Sequence, residues 1–174
     1  PARSLLYSDS LSVDLKYLNG GTTGPEMPFS VKSLAFASFS DSLKLFHDVT
    51  VTQQFQTNGC LVSSRQAELT IHGTAFQNEF TFGAVVGPMK ILSAPQTESQ
   101  NLMFPLAAFG RSALVTFSLV QQSPSSILFE AEMVDSLPPV HALPASVDVI
   151  APQRFLRISA SSETSIAQGT LTMV

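Results

Sequence analysis

The 174 residues suffice for one well-filled domain and are few for two. With 44% hydrophobic and only 13% charged residues, against roughly 25% charged in ordinary domains, the chain has little charge for a free surface, so burial against other subunits is expected. A net charge of −4 excludes a general attraction to nucleic acid, and the lone Cys60 excludes an intrachain disulfide framework.

The opening "PARSLLYSDS" lacks the pattern of a signal peptide. Because it starts on Pro rather than Met, an upstream segment is expected either to have been removed or to lie outside this chain. No run of eighteen apolar residues occurs, so no membrane span is expected. In "LSVDLKYL" (11–18), Leu11, Val13, Leu15 and Tyr17 share one face of a strand, opposite Ser12, Asp14 and Lys16. "GGTTGPEMP" then reads as a loop. "SVKSLAFASF" (30–39) and the β-branched "HDVTVTQQFQ" (47–56) are predicted strands, with "SDSLKLFHD" between them as one helical turn capped by Ser40 or Asp41. "TNG" (57–59) supplies positive-φ turn residues.

The most regular stretch is "AELTIHGTAFQNEFTFGAVVGP" (67–88). Ala67, Leu69 and Ile71 face one way, and Glu68, Thr70 and His72 face the other. "GTAFQN" turns a corner, Phe80, Phe82 and Ala84 line a second strand, and Gly87-Pro88 stops it. From 88 to 111 the pattern is irregular, with "NLMFPL" as a short edge strand that confines Pro105 to an edge or end. Strands resume at 112–120 and 125–133, a Pro-rich piece "DSLPPVHALPA" follows, and the chain closes on "VDVI", "RFLRISA" and "AQGTLTMV". No internal repeat and no dividing linker is apparent. The expectation is one all-β domain over 1–174, an antiparallel two-sheet β-sandwich with an N-terminal arm or strand region at 1–29 and the sandwich at 30–174.

Candidates for chemistry are few. His47, His72 and His141 lack a second ligand-type residue at metal spacing, no GxSxG elbow occurs, and the Gly-rich "LNGGTTG" lacks the GK[ST] ending of a phosphate loop. Cys60 has no local His and reads as a small, partly buried thiol. In "ILFEAEM", Glu130 and Glu132 share the polar face of a strand, about 7 Å apart. They form either a solvated face or, at a subunit seam, a weak Ca²⁺ site or a source of pH-dependent assembly. Arg154 and Arg157 flank a strand without forming a basic stripe. No catalytic residue is identified, and the chain is expected not to be an enzyme.

"AELTIHGTAF" followed by "EFTFGAVVGP", and the closing "RFLRISASSETSIAQGTLTMV", resemble strands of the single jelly-roll coat proteins of small icosahedral single-stranded RNA plant viruses of the tymovirus type. The resemblance implies an eight-stranded jelly roll with extra short strands. It also implies a non-catalytic coat protein that self-assembles, alone or with other coat chains, around viral RNA, forming virions in the host cytoplasm. No cofactor is implied beyond Ca²⁺ or polyamine counterions, and the resemblance identifies no RNA-binding residues. Subunit contacts are expected from the irregular segments, at Pro88, Met89, Phe104, Pro105, Pro138 and Pro139. The alternative is a secreted or surface ligand-binding jelly-roll module, such as an adhesin, a lectin-like domain or a cytokine-like trimer.

Overall fold

Alternation with a period of two makes strands, but it does not say which way neighbouring strands run. The computed structural model describes residues 13–73, 83–94, 99–108, 111–121, 125–135, 154–161 and 166–173. In chain order the strands are β1 (Asp14–Tyr17), β2 (Gly21–Thr22), β3 (Ser30–Phe36), β4 (Ser42–Lys44), β5 (Val49–Thr57), β6 (Cys60–Val62) and β7 (Leu69–His72). They continue as β8 (Ala84–Val86), β9 (Met89–Leu92), β10 (Ser99–Ala108), β11 (Arg111–Gln121), β12 (Leu128–Asp135), β13 (Arg154–Ala160) and β14 (Ile166–Met173).

Odd-numbered strands β1 to β9 stack in parallel in one layer, and even-numbered strands β2 to β10 stack in parallel in the other. The chain therefore alternates between layers at every corner and winds as a β-solenoid of about 4 turns. This corrects the expected antiparallel sandwich and jelly roll. Among the described strands the last part is antiparallel: β10 and β11 form a hairpin, β12 reverses against β9, β13 pairs with β12, and β14 returns beside β11. Among the described residues each layer thus has seven strands.

Several local expectations change with the topology. Ser42–Lys44, placed in a helical turn, is strand β4. Gly21–Thr22, read as loop, is strand β2. Pro105 lies inside ten-residue β10 rather than at an edge. Its missing N–H is tolerated because the parallel partner β8 reaches only Leu106 and Ala107. Gly59 is not among the positive-φ glycines; a Cβ there would sit 2.0 Å from the carbonyl oxygen of Ser38, so close approach between coils is what selects glycine. Phe80 and Phe82 lie outside the described residues.

The coil has a sequence period that the strand alternation conceals. In the first layer the inward column Val31, Val51, Ile71 and Ile91 advances by 20 residues per coil. Beside it, Val49, Leu69 and Met89 advance by the same 20. All seven side chains are 0–1% exposed. Each contributes roughly 1.5–3 kcal/mol on leaving water. The second layer supplies Leu43, Leu61, Val85 and Leu106, also 0–1% exposed, so each coil closes one layer of core onto the next. Phe117 of β11 meets Phe129 of β12 at 5.4 Å between ring centroids, joining the two layers in the antiparallel part.

The outer face of the first layer is polar, and its charges bridge the parallel and antiparallel parts. Arg65 reaches Glu130 at 2.5 Å and Glu132 at 2.8 Å; Lys90 pairs with Glu68 and lies 3.9 Å from Glu130; Arg157 pairs with Glu132. Hydrogen bonding to Glu130 is the first cause raising the Arg65 pKa above its ordinary value. The linked stability is therefore present below the unfolded arginine pKa and lost only as pH rises through the higher folded one, which leaves the pair intact at every physiological pH. Half-exposed Arg65 is well hydrated, so Arg65→Met is expected to cost less than about 1 kcal/mol. In urea denaturation the difference should shrink further in 1 M NaCl, where screening is nearly complete.

Candidate functional site

The corner that carries the chain from the second layer into the first is built by side chains that bond the neighbouring coil. Thr23, 1% exposed, donates its N–H to the Lys44 carbonyl (2.9 Å), and its Oγ1 accepts from the Phe46 N–H (2.9 Å). One coil further, Asp48 Oδ1 accepts from the Glu68 N–H at 2.8 Å, and Val49 N–H donates to the Glu68 carbonyl at 2.9 Å. Thr50 N–H donates to the Phe29 carbonyl at 2.8 Å. The backbone on either side of Phe29 and Phe46 is therefore fixed by the stack.

That rigid corner holds two phenylalanines outward. Phe29 is 66% exposed and Phe46 is 55% exposed, on adjacent coils, while the inward columns are fully enclosed. His47 lies between them, its ring 4.3 Å from Phe29 in a tilted stack and 6.2 Å from Phe46 edge-on. His47 Nδ1 is 2.8 Å from the Asp48 carbonyl, which can only accept, so Nδ1 carries the proton. The Nε2 of the same ring is buried and has no hydrogen-bond partner among the described residues. The result is an apolar ridge with an imidazole ring packed at its centre.

The opposite corner carries a third exposed phenylalanine, Phe39, at 71%. It borders an open groove of about 270 Å³ that also touches Asp41, Cys60, Val86, Ala107 and Ser112. Asp41 Oδ2 accepts from Ser38 Oγ at 2.6 Å. Burial pushes the Cys60 thiol pKa up, so the thiolate is scarce at neutral pH. Cys60 is therefore expected to react with a disulfide reagent at pH 7.5 several-fold more slowly in the native protein than after denaturation. Equal rates would show a freely exposed thiol.

The residues singled out from the sequence are dispersed. Glu130 and Glu132 do share one face, as expected, but each is engaged by cations of this same chain, Arg65 and Lys90 for the first, Arg65 and Arg157 for the second. Among the described residues no group of three His, Cys, Asp or Glu side chains is arranged to hold a metal ion. Pro88, Met89, Phe104 and Pro105, expected at subunit contacts, are buried within the chain itself. Met89 and Phe104 are core residues at 0% exposure. Pro138, Pro139 and His141 lie outside the described residues. His72 stands on the outer face of β7, as the alternation implied.

The exposed Phe29, Phe39 and Phe46 were not distinguished from core phenylalanines by sequence reasoning. Their common feature is adjacency to a corner, in "MPFS", "SFSDS" and "LFHD", where the alternation breaks. No helix among the described residues is long and apolar enough to cross a membrane. Comparison of the chain with family models, curated proteins and solved structures gives no match.

Proposed function

We propose that the chain is a non-catalytic binding scaffold, a short rigid β-solenoid that presents an aromatic ridge to an apolar peptide or protein surface. The observation that carries this reading is the pair Phe29 and Phe46, more than half exposed on adjacent coils of a corner that hydrogen bonds hold in place. Exposed aromatics on a preorganised backbone lose little freedom on binding and supply large apolar area. Repeat architectures commonly bind through such surfaces along the stack. The coat-protein expectation rested on a jelly roll, and with that fold replaced by a stacked coil it loses its structural support. The alternative, a secreted or surface ligand-binding jelly-roll module, loses its jelly roll in the same way, and only its ligand-binding part is carried into this proposal.

Selection of a random peptide library on the wild-type protein, with Phe29→Ser/Phe46→Ser as the counter-target, tests the reading. Apolar or aromatic peptides enriched on the wild type and absent from the variant support it. Equal enrichment on both, with the variant folded by circular dichroism, contradicts it.

A further inference from the structure

The two layers end on four edge strands, and three of them carry protection against pairing with another chain. At one end of the stack β1 has exposed Asp14 and Lys16, and β2 is two residues long. At the other end β13 includes Arg154 and Arg157. Charges and short length are the usual means of blocking an edge. Strand β14 has neither. Its eight residues, "IAQGTLTM", contain no charge and no proline, and among the described residues it pairs with β11 alone.

The same strand leaves apolar surface uncovered. Leu171 and Met173 pair with Phe117 and Val115, which places them on the core side of the layer. Val115 is 0% exposed, whereas Leu171 is 50% and Met173 62% exposed. On the facing layer Leu156, Ile158 and Ala160 of β13 are only partly buried against the core. Among the described residues the open end therefore combines a row of backbone donors and acceptors without a strand partner and an apolar inner row.

We propose that β14 pairs antiparallel with β14 of a second copy, about a two-fold axis perpendicular to the layers. Three features select a second copy as the occupant. An uncharged strand meets its own copy without like-charge repulsion and offers a charged partner nothing to grip. The two-fold arrangement is isologous and closes, so it satisfies both edges at once. The parity of side-chain facing also allows a good fit, because pairing Thr170 with Thr170 of the partner brings Leu171 opposite Gly169, large against small, with core side on core side. The β14 edge spans about 27 Å along the strand and roughly 10 Å across its own layer, so about 500 Å² is buried in total, the charged β13 edge staying apart. That area is below that of a stable complex and fits a weak, transient dimer with Kd in the range of about 0.1–1 mM.

Two measurements test this. Analytical ultracentrifugation is expected to show monomer at about 1 μM and substantial dimer at several hundred micromolar. Leu171→Lys, at a half-exposed edge position, should weaken the dimer at least about tenfold while preserving the monomer's circular dichroism. In a Cys60→Ser background, Thr170→Cys should oxidise to a disulfide-linked dimer, since directly opposed residues in an antiparallel pair fall within disulfide reach. This second readout stands even if Leu171→Lys fails to fold. Monomer at every concentration overturns the proposal and leaves the edge to a different protein. A dimer indifferent to Leu171→Lys overturns it as well. A mixed disulfide between Thr170→Cys and Thr22→Cys proteins would show β14 meeting β2 at the opposite end of the same layer, which makes open stacks rather than a closed pair and also overturns it.

Discussion

Gly87→Ala is expected to lower stability by about 3 kcal/mol, which for a chain of this length is a fall in Tm of about 6–12 °C. Gly87 makes the two-residue corner between β8 and β9 with φ of +99°, a conformation that side-chain-bearing residues rarely adopt. A Cβ there would also lie 2.3 Å from the Ser63 carbonyl oxygen of the preceding coil. Ser63 cannot retreat easily: its N–H donates to the Val86 carbonyl at 2.9 Å, and its hydroxyl donates to the Pro88 carbonyl at 2.6 Å. Gly24→Ala is the contrasting substitution. Its Cβ would crowd the carboxylate end of Glu26, a flexible side chain that can move aside, and meet the Glu26 backbone nitrogen at an ordinary 3.9 Å, so its cost should stay at about 0.5 kcal/mol. Thermal denaturation of the two variants checks the difference, and equal losses would contradict the tight corner.

Phe129→Ala is expected to cost about 3–5 kcal/mol. Phe129 is 1% exposed and projects from the first layer onto Phe117 of the second. Truncation leaves a cavity between layers that cannot close without moving strands on both sides. If the two layers share one core, urea denaturation of the variant remains a single cooperative transition at lower midpoint. A double-mutant cycle with Phe117→Ala should then give a coupling of about 0.5–1.5 kcal/mol. Phe29→Ala, removing an equally large but exposed ring, should change stability by less than about 0.5 kcal/mol. Similar losses for the two phenylalanines would mean that the layer contact is not where the core lies.

The strands themselves were legible because burial on one face imposes alternation whatever the direction of the neighbouring strand. Direction was not legible from alternation, and here it decides the fold. The column Val31, Val51, Ile71, Ile91 was present in the sequence as a repeat. It was obscured because the second layer keeps no constant step: Leu43, Leu61, Val85 and Leu106 are separated by 18, 24 and 21 residues. Corners of unequal length absorb the difference, so no single period spans the whole chain. The Gly87-Pro88 pair read correctly as a stop, yet the chain continues after it into the other layer rather than reversing within the same one. Glu130 and Glu132 were correctly placed on one face, but their cations come from other strands and a corner. Arg65 stands 65 residues from Glu130, beyond the reach of any local pattern. The aromatic ridge was hidden for a related reason: a phenylalanine at a corner and one in the core have the same side chain, and only the path of the backbone separates them.

Spin labels on the outer face of β7 and β9 test the stacked coil most directly. Thr70 pairs with Lys90, and His72 pairs with Leu92, in a parallel register. The account predicts that both label pairs, 70/90 and 72/92, show strong and similar dipolar broadening, as expected for backbones about 5 Å apart. In an antiparallel sheet that brought 70 opposite 90, residue 72 would face 88, and the 72/92 pair would be displaced by about 13 Å along the strand. Broadening in the first pair without the second would contradict the solenoid.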